Sequence, residues 1–501
     1  MKCKVLTLLL SLVCLTALSQ KEYKVYDWKT EYSFNAHLSQ LMHRQYEQRQ
    51  HNFQRALKST DSLQEYIHSV RTRFKEILGQ LPPQTPLNAK VVRSTISTRF
   101  SDHKILIQYR RERILFESFP GHHVTATLYI PTGKEQDPIG RSPYPGLLFL
   151  CGHEDAGKAT PSYQQLAGEL VESGFVVLVV DPLSQSERHQ LTGSNGKPLT
   201  RGGTTEHTLI NAASNLVGTS AAAYELWDNK RALDYLLTRP EVDTSRIGVL
   251  GNSGGAIQAM YLLAFEPRIK ATAVNSYLSS RARTFDLTGP ADGCAHIPGE
   301  GRALLEMSDY LIAAAPRPVL VTAGRFDFID FEGTKLAVRE LEQVYGLLGK
   351  PSHVKFSMYE DGHGYSLQKN QATVFFFQEA LYDSVLGTKS HIHEILSDTA
   401  LFVTGAGQVN AAFSNEVTVF ERNLQLANEL KSSRKQFLSQ SRDSIINKIA
   451  ELLALDRGWK AGPNGGGRSF KRKGIEYRTY ELQLNGEVPV PIILADTFLH
   501  R

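Results

Sequence analysis

The sequence predicts an α/β fold: a mainly parallel sheet with helices on both of its faces. Short apolar strands alternate with helical patterns over residues 144–386, and this alternation is typical of βαβ crossovers. The strands are nearly continuous apolar runs, which indicates that both of their faces are buried. One strand leads directly into a serine flanked by glycines. Ligands of such sheets bind at the carboxyl ends of the strands, so this turn is the first candidate site.

Length and composition indicate a large globular protein. The chain has 501 residues, of which 41% are hydrophobic and 21% charged, enough for a sizeable core and more than one folding unit. The net charge of +5 is not gathered into a basic stripe with interleaved aromatic residues, so we expect no nucleic-acid partner. After the N-terminal segment, no run is long and apolar enough to predict a membrane span.

Residues 1–19 read as a signal peptide. A basic start is followed by an apolar run and by a small-residue cleavage signal before Gln20, which is the pattern of a secretory leader. The sequence therefore predicts an exported protein, periplasmic or secreted. Cleavage would leave two cysteines, Cys151 and Cys294. Whether these two pair is left open by the sequence.

A helical preface is predicted over residues 20–89. Leu63, Tyr66 and Val70 are among several apolar residues that recur there at helical spacing, so one face of the segment is suited to packing on a core. Gly79 and the two prolines that follow it mark the end of the helical pattern.

The predicted catalytic domain spans residues 90–390. It opens with strand-like alternation over residues 90–131 and continues as strands and helices in turn. The later elements, in order, are strand Gly146–Gly152, helix Tyr163–Glu172, strand Phe175–Val180, a loop over 181–217, helix Ser220–Leu237, strand Ile247–Leu250, helix 256–265, strand Lys270–Asn275, an insertion over 276–302, helix Ala303–Ala313, strand Pro318–Ala323, helix Gly333–Leu348, strand His353–Tyr359 and helix Gln368–Leu386.

Residues 391–501 are predicted to form a helix-plus-strand extension. Arg434–Phe437 echoes Arg71–Phe74 at an offset of 434 − 71 = 363, and Glu481–Leu494 echoes Glu117–Ile130 at 481 − 117 = 364. Two similarities at nearly one offset indicate the start of a second, incomplete repeat of the preface and opening strands. The alternative is an unrelated C-terminal extension.

The serine turn has the pattern of a nucleophile elbow. Gly251, Asn252, Ser253, Gly254 and Gly255 lie between a short apolar strand and a helix of small residues, which is the context that a G-x-S-x-G nucleophile requires. The flanking glycines allow a sharp turn where a Cβ would collide with the strand or the helix. The helix N-terminus favours a developing oxyanion. The pattern predicts Ser253 as nucleophile, and a glycine-rich βα turn is the plain alternative.

A base and an orienting acid follow two later strands. His363 lies between glycines directly after the last predicted strand, where it can reach the serine as general base. Asp327 follows strand 318–323 in a Gly-x-x-Asp turn, and Asp330 and Glu332 compete with it for the role of acid. We predict Asp327, which would hold the imidazole and stabilise its charged form. The order serine, aspartate, histidine is that of α/β-hydrolases.

The oxyanion hole is predicted from two backbone positions. One donor is the N–H of Gly254, after the nucleophile, and the second is that of His153 or Glu154 in the loop after the third strand. We expect the His153 side chain to have a structural or substrate-contact role, and we expect Glu154, Asp155 and Lys158 to form a polar network at the edge of the site. No Cys/His cluster has zinc-ligand spacing and no phosphate-binding glycine loop occurs, so neither a metal nor a cofactor is predicted.

Residues 117–388 resemble the bacterial secreted α/β-hydrolases of the acetyl xylan esterase and dienelactone-hydrolase-like esterase group. The resemblance lies in CGHEDAGK, VVDPLSQSER, APRPVLVTAGRFDF, YEDGHGYS and the run from Trp227 to the elbow. It implies a carbohydrate esterase that uses Ser253, Asp327 and His363. Well-known acetyl xylan esterases carry Gln directly after the nucleophile, where this chain has Gly254. That departure leaves the esterase class intact and does not support xylan as the substrate.

The leading prediction is an exported serine ester hydrolase that acts on an ester-bearing carbohydrate or small molecule through an acyl-enzyme. A methyl esterase on uronic acid esters is a second interpretation, in which Arg188, Arg281 or Arg325 would meet the uronate. A prolyl-oligopeptidase-like peptidase is a third, and residues 20–140 lack the β repeats of its propeller. The fourth is a non-catalytic glycan-binding protein on the same scaffold. The oligomeric state is unknown from the sequence.

Overall fold

The computed structural model describes residues 31–101, 104–132, 142–288, 293–385, 392–452, 462–464, 469–483 and 490–496. The predicted signal peptide, residues 1–19, lies outside the described residues. The chain divides into two compact units, one of residues 42–432 and one of residues 1–41 with 433–501. Within the described part of the chain, no helix has the length and apolar character needed to cross a membrane.

The larger unit contains a nine-stranded sheet, which confirms the predicted α/β class. Its strands follow one another in the order β1-β2-β3-β5-β4-β6-β7-β8-β9. Pairing is parallel from β5 through β4 to β9 and antiparallel among β1, β2, β3 and β5. The strands are β1 Lys90–Ser101, β2 Lys104–Phe119, β3 His122–Pro131, β4 Tyr144–Leu150, β5 Val176–Val180, β6 Val242–Asn252, β7 Ala271–Asn275, β8 Val319–Gly324 and β9 Val354–Tyr359.

Helices cover both faces of this sheet. Their bounds are α1 Ser33–Ala56, α2 Thr60–Ile77, α3 Pro161–Glu172, α4 Gly203–Asn215, α5 Ala221–Leu236, α6 Gly254–Phe265, α7 Arg281–Thr288, α8 Met307–Ile312, α9 Phe331–Leu347 and α10 Leu367–Tyr382. Buried apolar side chains of α3 and α10 pack on one face. Those of α2, α5, α6, α8 and α9 form the core on the other face. The central strands are therefore buried on both sides, as their continuous apolar runs predicted.

The prediction of a loop over residues 181–217 is wrong for helix α4, which lies within it. The first part of the segment is held in the interior by Arg188, which is 0% exposed. The Arg188 guanidinium donates to the carbonyls of His123 and Asp181 and to the carboxylate of Asp228, the last at 2.6 Å. A buried guanidinium with this many acceptors orders the segment that carries it.

Lys158 was expected at the edge of the site with Glu154 and Asp155, and the structure corrects this. Its ammonium is buried and pairs with Asp181 and with Glu187, the latter at 2.9 Å. Burial alone would lower the pKa of Lys158, but the two carboxylates outweigh it and raise that pKa. The ammonium therefore stays charged in the interior, since both partners favour its charged form.

Two buried arginines, each paired with carboxylates, help to hold the preface helices and the insertion against the core. Arg49 of α1 donates to Asp309 at 2.7 Å and to Glu340 at 2.6 Å. Arg281 pairs with Glu300 at 3.0 Å. Each guanidinium loses its hydration on folding, so its carboxylate partners are required for the helices to dock.

Glu306, beside these pairs, gives a stability prediction. Burial raises its pKa to about 7 from the ordinary 4.5, despite hydrogen bonds from the backbone N–H groups of Met307 and Arg281. A carboxyl group whose pKa is raised by folding favours the folded state most below pH 4.5, and this contribution is lost as the pH rises through about 7. The loss amounts to about 3 kcal/mol, at 1.36 kcal/mol for each pKa unit.

We therefore expect Glu306→Gln to change the pH dependence of folding. The free energy of unfolding of the wild type, relative to this variant, should fall between pH 5 and pH 8 by up to about 3 kcal/mol, because the amide does not ionise. Urea unfolding of both proteins across this range measures the difference. If the free energies of unfolding of the two proteins changed with pH in parallel, the raised pKa of Glu306 would be contradicted.

The first part of the C-terminal extension belongs to the larger unit. The backbone N–H groups of Val403 and Thr404 donate to Glu187, both at 2.7 Å, and the N–H of Val417 donates to the carbonyl of Gly121 at 2.7 Å. Its helices are α11 Asp398–Leu401, α12 Val409–Ala412 and α13 Val419–Glu429. Helix α14 Lys431–Leu438 begins at the end of this unit, and α15 Arg442–Leu452 belongs to the smaller unit.

The smaller unit contains antiparallel strands. Strand β12 Ile475–Gln483 pairs with β10 Gly462–Asn464, β11 Ser469–Arg472 and β13 Val490–Asp496. The extension thus runs from helices into antiparallel strands, which is the order of α1, α2 and β1–β3. The repeat and the domain boundaries at residues 89 and 390 stay predictions.

Candidate active site

The candidate residues lie at one edge of the sheet. Ser253 directly follows β6, Asp327 follows β8 and His363 follows β9. The loop 151–157 follows β4, the neighbour of β6. All four segments therefore leave the carboxyl ends of parallel strands, where α/β sheets place their sites.

Ser253 has the strained backbone of a sharp strand-to-helix turn. Its φ of 54° and ψ of −125° are rare for a residue with a side chain. A Cβ on Gly251 would overlap the carbonyl of Gly255, and a Cβ on Gly255 would overlap the carbonyl of Leu150. Helix α6 begins at Gly254, so the serine lies at its positive end. The turn has the geometry of a nucleophile elbow.

A chain of buried hydrogen bonds lies beneath the turn. Asn252 donates to the Tyr163 hydroxyl at 3.3 Å and accepts from Asn275 at 2.6 Å. Thr322 donates to Asn275 at 2.7 Å, and the N–H of Gly152 donates to Tyr163 at 3.0 Å. The chain links β6, β7, β8 and the loop after β4, so it fixes the relative positions of the candidate residues.

The structure brings His363 and Asp327 together. His363 Nδ1 lies 2.8 Å from Asp327 Oδ1, which also accepts from the backbone N–H of Ile329 at 3.0 Å. Burial alone raises the pKa of Asp327, but these hydrogen bonds and the imidazole lower it below its usual value. Asp327 is therefore an ionised acceptor for the imidazole near neutral pH. The ring of Phe328 stacks on His363 with centroids 4.3 Å apart.

The two competing acids have other partners. Asp330 caps α9 through the N–H of Gly333 at 2.8 Å and pairs with Arg283 at 2.5 Å. Glu332 pairs with Lys335 at 2.7 Å. Of the three acids, Asp327 is the one described in hydrogen-bond contact with His363.

The loop that carries His363 is held by a lysine that the sequence analysis did not single out. Lys369, whose side chain is 0% exposed, donates to the carbonyls of Gly362 and Gly364, both at 2.9 Å. It also pairs with Asp361 at 3.0 Å. Three bonds from one ammonium fix the backbone on both sides of the imidazole.

Ser253 and His363 open into one cavity of about 680 Å³. His153 and Glu154 line one side of it, and Phe328 lines another. A cavity of this size accommodates a sugar or a similarly sized molecule. It is the space in which a bound ester would meet both the hydroxyl and the imidazole.

The loop after β4 is oriented by Gln185. Its amide donates to the carbonyls of Gly152 at 2.7 Å and Glu154 at 2.6 Å. In a trans peptide the N–H points opposite to the carbonyl, so the N–H of His153 is directed away from Gln185. Gly152 itself lies against Ser253, because a Cβ there would be 3.0 Å from the serine Cβ.

The glycine after the nucleophile has a steric explanation. A Cβ on Gly254 would overlap the imidazole ring of His153. Residues with a side chain at this position require the ring to move, and the loop after β4 would move with it. The departure from the glutamine of known acetyl xylan esterases is therefore coupled to His153.

We expect Gly254→Gln to lower kcat/KM by about 10²-fold, since a displacement of about 1 Å at reacting groups has an effect of that size. His153→Ala makes room for the new side chain, so the double variant should be more active than Gly254→Gln alone. Rates of 4-nitrophenyl acetate hydrolysis by the wild type, the two single variants and the double variant measure these differences. Full activity of Gly254→Gln would show that the imidazole does not restrict the position.

The cationic residues proposed from sequence to meet a uronate lie elsewhere. Arg188 and Arg281 are 0% exposed and pair with Asp228 and Glu300. Arg325 is exposed, pairs with Glu360, and is not among the described residues that line the cavity. Arg201 lines it instead.

Arg201 was missed because it precedes α4, in the segment predicted as a loop. Its Nε donates to Thr205 of that helix at 2.9 Å. Three threonines at the start of α4 line the cavity with it: Thr204, Thr205 and Thr208. The helical spacing of these threonines was the sequence pattern that could have predicted α4. The Gly202-Gly203 pair before them is typical of a loop and favoured the loop prediction instead.

The fold and the cavity are those of an α/β-hydrolase. The sequence pattern of the Abhydrolase family matches residues 18–375, and the chain belongs to that family. This match confirms the predicted resemblance to α/β-hydrolases.

Three similar proteins illustrate the relationship. The Bacillus subtilis (strain 168) protein named “Putative hydrolase YtaP” is 24% identical over 333 residues, which cover 62% of this chain and 98% of that protein. The structure of “Methylesterase BT1017” superposes with a TM-score of 0.57 at 20% identity, over 75% of this chain and 78% of that one. A Bacteroides fragilis NCTC 9343 protein titled a “putative acetyl xylan esterase (BF1801)” superposes with a TM-score of 0.46 at 20% identity, over 60% and 76%.

Proposed function

We propose that the protein is an exported serine esterase that removes acyl groups, acetyl above all, from glycans through an acyl-enzyme on Ser253. The observation that carries the proposal is the shared cavity. Ser253, whose backbone is strained, and His363, whose Nδ1 is held by Asp327, both open into this cavity. This arrangement of nucleophile, base and acid is the one that acyl transfer uses.

Each residue has a definite role in the proposed reaction. His363 Nε2 takes the proton of Ser253 as the serine oxygen attacks the ester carbonyl carbon, while Asp327 stabilises the imidazolium. The N–H of Gly254, with that of His153 or Glu154, donates to the oxyanion. The tetrahedral intermediate collapses, His363 protonates the departing alcohol, and the acyl group stays on Ser253. Water, deprotonated by His363, then releases the acid and restores the serine.

A second candidate is a methyl esterase on uronic acid esters. Arg201 favours it, because this arginine lines the same cavity as Ser253. Arginine binds carboxylates in a two-pronged geometry, so it suits a polyuronate in which an unesterified unit lies next to the methyl ester. BT1017, which superposes over most of this chain, is named a methylesterase. In this reaction methanol is the leaving alcohol and the uronate forms the acyl-enzyme.

Product analysis separates the two candidates. The purified protein is incubated with an acetylated polysaccharide and with a methyl-esterified polyuronate, and acetate and methanol are measured. Acetate release supports the first proposal, and methanol release supports the second. A folded protein that hydrolyses neither polymer nor 4-nitrophenyl acetate would favour a non-catalytic glycan-binding protein.

The role of Arg201 has its own control in this experiment. Arg201→Met keeps the length of the side chain and removes its charge. If the substrate is a polyuronate, KM for that polymer should rise while hydrolysis of 4-nitrophenyl acetate changes little, because the aryl ester has no carboxylate. An equal loss on both substrates would mean that the arginine has a structural role.

A further inference from the structure

Two imidazoles and a thiol meet next to the cavity that Ser253 lines, and one of the three, His153, lines the cavity itself. One ligand atom from each of His153, His207 and Cys294 lies within 4.8 Å of the others. His153 Nε2 is 3.1 Å from Cys294 Sγ, and the two imidazole rings have centroids 5.2 Å apart. We propose that these three side chains form a binding site for a zinc-like divalent metal ion, a site that is independent of the proposed esterase reaction.

The donor set selects the class of metal. Two imidazole nitrogens and a thiolate suit zinc and other borderline ions, whereas calcium and magnesium require oxygen ligands. In a tetrahedral zinc site, bonds of about 2.0 to 2.3 Å place ligand atoms about 3.3 to 3.8 Å apart. His153 Nε2 and Cys294 Sγ lie 3.1 Å apart, and the other separations are at most 4.8 Å, so side-chain movements of about 1 Å bring the three atoms to that spacing. Cys294 gives up its thiol proton to solvent as the metal binds.

His207 is oriented as metal-binding histidines are. Its Nε2 lies 2.7 Å from the carbonyl oxygen of Leu183 and 3.1 Å from Glu225 Oε1. These acceptors hold the ring proton on Nε2, which makes Nδ1 the basic nitrogen. A carboxylate or carbonyl behind a histidine ligand fixes its tautomer and raises its basicity. The ring and Cys294 are both 0% exposed.

Two glycines allow the three segments to meet. Cys294 lies in the 3₁₀ helix Gly293–Ala295, and a Cβ on Gly293 would overlap the carbonyl of His207. On the opposite side, a Cβ on Gly254 would overlap the His153 ring. The backbone is therefore packed closely at both ends of the cluster, so its geometry is set by the fold and not by side-chain rotamers alone.

The cluster also has an entrance and an open position. His153 lines the cavity with Ser253, whereas the other two ligands are buried behind it. Among the described residues the group contributes three donors. Three protein ligands leave the fourth tetrahedral position of a zinc ion to water or to a bound molecule.

Cobalt(II) binding tests the proposal directly. The purified protein is treated with a chelator and titrated with cobalt(II) alone, because a cobalt–thiolate bond absorbs in the near ultraviolet and a tetrahedral site absorbs strongly in the visible. We expect both absorptions to saturate at one ion per chain and to vanish when zinc is added. Zinc should also raise the melting temperature, since it binds the folded state. A folded wild type without these signals would overturn the proposal.

Variants locate the site. Cys294→Ser should lose the near-ultraviolet absorption, whereas Cys151→Ser, the matched change at the other buried free thiol, should keep it. The reverse result, or equal absorption in both, would overturn the assignment.

Two further variants serve as controls. One changes a ligand that is partly exposed, where misfolding is less of a concern, and the other tests whether metal binding depends on the nucleophile. His153→Gln, at the partly exposed ligand, should keep the thiolate absorption but weaken cobalt binding by more than about tenfold. Unchanged affinity would exclude His153 as a ligand. Ser253→Ala should bind cobalt like the wild type, because the serine is not among the ligands. Metal binding and ester hydrolysis can thus succeed or fail separately.

Discussion

Ser253→Ala is expected to lower kcat on 4-nitrophenyl acetate by about 10⁶-fold, the size of effect seen when a serine nucleophile is removed. The alanine leaves the elbow, the cavity and the imidazole in place but supplies no oxygen for the acyl-enzyme. Steady-state kinetics and a melting curve for each protein measure the change. A fluorophosphonate should label the wild type, and mass spectrometry should locate the label on Ser253.

Ser276 is the matched control for this variant. It directly follows the neighbouring strand β7 at the same edge, has a φ of 53°, and is buried outside the described lining of the cavity. Its hydroxyl accepts from the N–H of Gly364 at 3.4 Å and also hydrogen-bonds the Asp327 carboxylate, and two such bonds contribute about 2 kcal/mol together. Ser276→Ala should therefore lower kcat by no more than about 10²-fold, far less than the loss expected for Ser253→Ala. Activity of Ser253→Ala within about tenfold of the wild type would show that another group is the nucleophile.

The sheet and its candidate residues could be predicted because their signals are local. A buried parallel strand is a short apolar run, and β4, β5 and β6 all are. The elbow requires glycines at fixed positions around Ser253, whatever the rest of the chain does. A strand end followed by glycines also points to His363. Such patterns can be recognised in the sequence without knowledge of tertiary contacts.

The buried charges could not be predicted in the same way. Lys158 was expected at the edge of the site and Arg188 was expected to be exposed to a uronate, since such side chains are rarely buried unless they are paired. Their partners lie far along the chain: Glu187 for the first and Asp228 for the second. Helix α4 was missed for a related reason, because its stability depends on packing rather than on the propensity of its threonine-rich start.

The choice of Asp327 over its neighbours was a matter of turn geometry. All three acids lie within six residues, so composition and spacing leave each of them available. The structure separates them by their partners, since Asp330 and Glu332 are committed to Arg283 and Lys335. Contacts of this kind are decided by helix α9, whose first turn carries Glu332 and whose N-cap is Asp330.

Asp327→Asn is expected to lower kcat by about 10⁴-fold, because the amide no longer holds the tautomer of His363 that accepts the serine proton. The carboxylate is suited to this role, since burial alone would raise its pKa, but its hydrogen bonds and the imidazole together hold that pKa below the usual value. It therefore stays ionised as the pH falls from neutral, and the charge is lost only as the pH passes below its lowered pKa. KM should change little, because Asp327 is behind the imidazole.

Asp330→Asn is the control three residues away. An asparagine still caps α9 by accepting from the N–H of Gly333, and the variant loses an ion pair in which the Arg283 side chain is 41% exposed. Exposed pairs of this kind contribute about 1 kcal/mol or less, so activity should remain within about tenfold of the wild type. If Asp330→Asn lost as much activity as Asp327→Asn, the acid would have to be reassigned. Since both changes replace a carboxylate with an amide in the same loop, a difference of about 10³-fold between them would come from contact with the imidazole and not from the local loss of charge.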